Sequence, residues 1–164
     1  MHYPQATPQD IRGAQQPHNL YIAGVLMVNL LMTPAIIALN LGMLGLLIPL
    51  LLTGSLIAYI FLRSRRPTRW FVNMHWRLCF NRAKLLLLGY AISGTLVLIG
   101  WLVSLTAQSP SMAHILWTAL TRIAVIPALI FVLVTAVLEF SAIGQAANRE
   151  VSDKCAAKFP PPAE

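Results

Sequence analysis

From Leu20 to Leu62 the chain carries no charged side chain, a run about twice the ~20 apolar residues that cross a bilayer core. A run of that length has to cross a membrane, turn and cross back. The segment LNLGMLG, residues 39–45, supplies the turn, because Asn40, Gly42 and Gly45 tolerate turn conformations. Spans are therefore expected at about 20–39 and 43–62. Each holds one proline, Pro34 or Pro49, and a kink is expected in each, since a membrane helix tolerates proline where neighbours satisfy the freed carbonyl.

Composition removes the soluble alternative. Of 164 residues, 57% are hydrophobic and 10% charged, against roughly 45–50% and about 25% in soluble domains, and the mean hydropathy is +0.69. A chain this short cannot bury so much apolar surface within itself. A third span is expected at about 85–105 and a fourth at 115–143. The fourth apolar stretch is too long for one crossing, so it either tilts or starts in the outer interface with Trp117 as anchor. The fold class is all-α, a polytopic integral membrane protein with four transmembrane helices and an amphipathic interfacial helix at about 68–84. Around the 20–143 transmembrane domain stand a polar, Pro/Gln-rich tail at 1–19 and a partly disordered tail at 144–164 that closes on Pro160, Pro161 and Pro162. No cleavable signal peptide fits the first apolar run.

The net charge of +7 and pI of about 10.1 suggest nucleic acid, but their origin argues otherwise. Acidic residues are absent from Ile11 through Leu138, and seven of the twelve basic residues sit in one segment, 63–84. No phosphate-tracking surface runs along the chain, and no nucleic-acid partner is expected. The segments 40–42 and 106–114 lack Lys and Arg altogether. The positive-inside bias then places 63–84 and both termini in the cytoplasm, in a bacterial inner membrane. Arg149, Lys154 and Lys158 agree with that orientation.

Within the basic segment, Arg63, Arg65, Arg66 and Arg69 stand at the mouth of the second span, where each contributes about 1 kcal/mol beside anionic headgroups. Pro67 ends that helix. Beyond it, Asn73, Arg77, Asn81 and Lys84 form a polar stripe at helical spacing, with Phe71, Leu78 and Phe80 mostly opposite and Trp76 at the margin. Basic, Trp-bearing helices of this kind lie in the headgroup plane, so Trp76 joins the four arginines as a lipid anchor. Trp70, His75 and Arg82 break the pattern and are the residues expected to dock a partner subunit.

Two charged residues fall within the spans. Arg122 faces either a bundle interior or the outer headgroups; Glu139 reads best as an interfacial carboxylate at the inner end of the fourth span. The two are 17 positions apart, about 25 Å along a straight helix, and cannot pair within it. His2, His18, His75 and His114 all lie outside the middle of the spans, which argues against haem. Cys79 and Cys155 have neither CxxC nor metal-ligand spacing, and a reducing cytosol would keep them as thiols. Neither a metal nor a cofactor is expected. Gly54 with Ala58, Ala142 with Ala146, and Gly89, Ser93, Gly94 and Gly100 provide slim helix faces suited to close packing. Nucleophile elbows, P-loops, HExxH and paired carboxylates are missing, so no catalytic residue and no small-molecule substrate are expected. The function expected is a non-catalytic structural or accessory subunit of a larger secretion, respiratory or transport assembly. It would contact other membrane subunits and anionic phospholipids. The alternative is a small oligomeric transporter with Glu139 or Arg122 lining its path.

Overall fold

The computed structural model describes residues 1–39, 41–45, 47–66 and 68–161. Asn40, Pro67 and Pro162, to which the sequence assigns a turn, a helix stop and the end of the tail, lie outside these residues.

Helix α1 (Pro8–Val25) starts on a capping box. The Asp10 amide donates to Thr7 Oγ1 at 3.3 Å, the Thr7 amide donates back to the Asp10 carboxylate at 3.0 Å, and Pro8 follows the cap. A π-helical stretch, Leu26–Met32, leads into α2 (Thr33–Ala38). Pro34 has no amide proton, and its ring crowds the carbonyl one turn back. The wider π spacing just before it relieves that crowding, and both the Thr33 amide and its hydroxyl donate to the Val28 carbonyl. The irregularity expected at Pro34 is thus spread over the residues preceding it. A short α3 (Gly42–Gly45) precedes α4 (Leu47–Ser64). Pro49 falls in the first turn of α4, where an amide has no intrahelical partner to lose, so the kink expected there does not follow.

Helix α5 (Trp70–Ser104) runs unbroken for 35 residues. It unites the interfacial helix expected at 68–84 with the span expected at 85–105. A helix lying in the headgroup plane would have to break before entering the membrane, and no break occurs. The overlong fourth span resolves differently, into α6 (Pro110–Ala124) and α7 (Ile126–Ala147), with a short α8 (Asp153–Lys158) after it. Among the described residues, four helical stretches, Pro8–Ile36, Leu47–Ser64, Trp70–Ser104 and Pro110–Ala147, are long and apolar enough to cross a membrane. Large apolar side chains stand mostly bare on their outer surfaces, Leu51 and Val137 each at 68% of full exposure. Water would not tolerate so many; lipid does. The chain is an all-α, multi-pass membrane protein.

The contacts divide it into two compact units. The first comprises Met1–Ala83 with Thr135–Glu164. Part of its core brings Ala6 and Ala14 against Phe71 and Met74 of α5, Ala142 and Ala146 of α7, and Cys155 of α8. Residues 1–19, expected as a polar tail, are therefore helical from Pro8 and half embedded in this core. The carboxyl-terminal tail is likewise built in, with Val151, Cys155 and Ala156 buried. Arg149 adopts a left-handed conformation (φ 57°) just past α7, and the Glu150 amide donates back to Gln145 at 2.8 Å. That turn sets residues 149–151 alongside the amino terminus, where Tyr3 donates to Arg149 and Val151 to Met1, each at 2.8 Å.

The second unit, Lys84–Val134, is a helical hairpin held by small residues. At Gly89 a Cβ would stand 2.6 Å from that of Phe131, and at Gly100 one would stand 3.0 Å from that of Leu120. Where α7 begins, the Ala128 amide has no helical partner, and Ser93 Oγ accepts it at 3.0 Å. Gly89, Ser93 and Gly100 thus serve the close packing read from the sequence, whereas Gly94 faces open space.

Candidate functional site: a buried histidine–carboxylate cluster

Three helices of the first unit converge on Glu139. Helix α1 contributes His18, α5 contributes His75, Cys79 and Arg82, and α7 contributes the carboxylate. The apolar flanks that drive these helices together carry the polar groups inward with them: Ala14 and Tyr21 flank His18, Met74 and Leu78 flank His75, and Ala136 and Ala142 flank Glu139. His18, His75 and Glu139 are consequently buried almost completely.

His18 Nδ1 meets Glu139 Oε2, and His18 Nε2 lies 3.0 Å from His75 Nδ1. His75 Nε2 in turn lies 3.1 Å from the Glu150 carbonyl, which the left-handed turn at Arg149 presents. Hydrogen-bond polarity orders this chain. A carbonyl only accepts, so His75 Nε2 carries a proton and donates it. A neutral His75 then offers a lone pair at Nδ1, and His18 Nε2–H fills it. His18 Nδ1 is left facing a carboxylate oxygen, an arrangement that needs a positive charge between or upon them. A proton held between the ring nitrogen and the carboxylate supplies it, and so would a metal ion.

Arg82, whose side chain is 14% exposed, donates to the Leu138 carbonyl at 2.5 Å and approaches Glu139 Oε1 only to 3.9 Å. Oε1 accepts no hydrogen bond among the described residues although it is buried. Cys79 Sγ donates weakly to the Pro17 carbonyl at 3.5 Å. Ligand atoms of His18, Cys79 and Glu139 all lie within 4.8 Å of one another, a donor set of nitrogen, sulfur and oxygen.

These positions correct several expectations. Glu139, expected as a carboxylate at the inner end of the fourth span, is covered by protein at the centre of the cluster. His75 cannot dock a partner, because it is buried between His18 and Glu150. Arg82 and Trp70 are half-buried and turn inward, Trp70 Nε1 donating to the Phe159 carbonyl at 3.0 Å. Trp76, expected among headgroups, is covered by protein, with Tyr59 against its ring and the Arg63 guanidinium 5.4 Å from its centroid. Arg69 pairs with Asp10 at 3.1 Å. At 65% exposure that pair contributes little. Arg65 and Arg66 remain exposed, with Arg65 over Phe61, and Arg122 is exposed on the last turn of α6, not turned into a bundle interior.

Sequence reasoning missed His18 and Cys79. Metal-ligand and triad motifs are recognised by short spacings, and these partners are far apart: 121 positions between His18 and Glu139, 57 between His18 and His75. One local signal was available. T-P-Q-D at 7–10 is a helix start, and a helix from Pro8 puts His18 on a structured face. No protein-family model, curated protein or solved structure matches the chain, so the reading of this site rests on its own geometry.

Proposed function

We propose that the chain is a non-catalytic accessory subunit of a larger membrane assembly, residing in a bacterial inner membrane with both termini cytoplasmic. The observation that carries this reading is an unfilled face on α4. Gly54, Ser55 and Ala58 are all exposed on it, and a Cβ added at Gly54 would meet nothing within 4 Å. Lipid tails pack poorly into such a face, whereas another helix approaches closely and gains dispersion contacts. The exposed Arg65 and Arg66 at the end of α4 support a contact with anionic phospholipid on the same side. The orientation follows from the positive-inside bias of residues 63–84.

Purification in mild detergent with cross-linking tests the reading. The chain should co-migrate with other membrane subunits, and Gly54→Leu should release it while leaving its own helix content intact. A chain that isolates alone and monomeric in every mild detergent, with Gly54→Leu behaving like the parent, would sink the proposal.

A second reading has its own observation. A carboxylate buried beside two imidazoles is the kind of group that carries protons in small transporters. If Glu139 couples transport, Glu139→Gln abolishes proton-linked flux in vesicles; a parent protein with no flux removes this reading.

A further inference from the structure

We propose that His18, Cys79 and Glu139 bind one divalent transition-metal ion of the zinc type, with His75 orienting His18. The site is independent of the accessory-subunit reading and would serve to clamp three helices together. Its donors are those zinc prefers, an imidazole, a thiolate and a carboxylate. Their ligand atoms lie within 4.8 Å of one another, and around a tetrahedral zinc they would stand roughly 3.3–3.8 Å apart, so the Cys79 sulfur draws in while His18 Nδ1 and Glu139 Oε2, now in hydrogen-bond contact, part to admit the ion.

Two further observations point to a ligand. Glu139 Oε1 is buried and accepts no hydrogen bond among the described residues, because Arg82 spends its closest donor on the Leu138 carbonyl. The polarity of the histidine chain leaves the Nδ1 lone pair of His18 facing the carboxylate, a gap that is filled either by a proton or by a metal ion. His75 meets the need of a metal-bound histidine for a fixed acceptor on its other nitrogen, and Glu150 fixes His75 in turn. Charge also balances within the ligand set. A divalent ion with one thiolate and one carboxylate is neutral, which leaves the partly exposed Arg82 guanidinium, 3.9 Å from Glu139 Oε1, as the net charge beside the site. On binding, Cys79 loses its proton to solvent and with it the weak bond to the Pro17 carbonyl.

The full chain, purified in detergent and stripped with chelator, is titrated with Co2+ as probe. A cobalt–thiolate charge-transfer band should appear, saturate at one ion per chain, and vanish when Zn2+ is added. Cys79→Ser should abolish the band, and Cys155→Ser should leave it unchanged. His75→Ala should keep the band but weaken Co2+ affinity about 10–100-fold, the effect of losing an outer-shell partner and not a ligand. No band in the parent chain, or a band that survives Cys79→Ser, overturns the proposal. A measurement that needs no ligand variant guards against misfolding. In the Cys155→Ser chain, the fully buried Cys79 reacts with maleimide only through local opening, and Zn2+ should slow that reaction while chelator restores it. Cys79 reacting equally fast with and without Zn2+ would also overturn it.

Discussion

At the scale of single residues, the cost of placing Glu139 in a protein interior decides what surrounds it. An ionised carboxylate taken out of water loses several kcal/mol of hydration, and only a close positive partner with good geometry offsets that. His18 meets one oxygen, while Arg82 stands 3.9 Å from the other. Removing one member of such a pair is worse than removing both. In chelator-treated protein, Glu139→Leu is expected to cost about 3–5 kcal/mol in detergent unfolding. The double variant His18→Leu/Glu139→Leu should be more stable than the sum of the singles by at least about 1 kcal/mol. Strict additivity would mean that the two side chains do not act as a unit. Cys155 offers a separate test outside the spans. Burial pushes its thiol above the ordinary value of 9.0, so less thiolate is present at any given pH. In a Cys79→Ser chain, alkylation of Cys155 should be slow near pH 8 and keep climbing beyond pH 9, whereas the denatured chain should level off at about that value. A native profile that levelled off with the denatured one would show Cys155 to be exposed.

At the scale of elements, hydropathy was enough to read the spans, because the length of an apolar run is set by the bilayer and not by tertiary packing. What it could not read is where helices end when their ends are packed. Residues 70–84 carry a polar stripe that suits a membrane surface, yet Asn73 and Arg77 belong to a helix that continues without interruption to Ser104. The stripe was legible; the continuity was not, since nothing local marks the absence of a break. Trp76 and His75 were misread for a related reason. Both are covered by residues distant in sequence, Tyr59 in one case and His18 and Glu150 in the other. The capping box at 7–10 was the one cue to the buried cluster that local sequence contained. Thr7→Ala should cost roughly 0.5–2 kcal/mol and fray α1, read as loss of helicity and faster exchange of the Asp10 amide. The break at Val125 depends on a similar device from outside its own helix. Ser93→Ala strands the Ala128 amide among apolar groups and should cost about 1–3 kcal/mol, whereas Ser93→Thr should keep the bond. Equal stability of both variants would mean that the hydroxyl caps nothing.

At the scale of the whole molecule, the amino-terminal residues and residues 149–153 meet each other directly. Tyr3 pairs with Arg149, Met1 with Val151, and the terminal amine reaches Asp153 at 2.6 Å. Segments joined by such bonds lie on one side of any bilayer, which an even number of crossings also requires. The proposed orientation makes that side the cytoplasm, on the greater cost of translocating the arginines at the end of α4 against the membrane potential and away from anionic lipid. Single cysteines placed in a chain lacking Cys79 and Cys155 turn this into a measurement. An impermeant maleimide applied to spheroplasts should label Gln108→Cys at once. Gln9→Cys, Arg66→Cys and Lys154→Cys should react only after permeabilisation, all three of these positions being exposed on the protein itself. Labelling of Lys154→Cys and Arg66→Cys in intact spheroplasts, with Gln108→Cys protected, would invert the orientation while preserving the fold. A split between Gln9→Cys and Lys154→Cys would do more damage. It would separate the two ends that hold the Glu150 carbonyl against His75, and the buried cluster could not form as described.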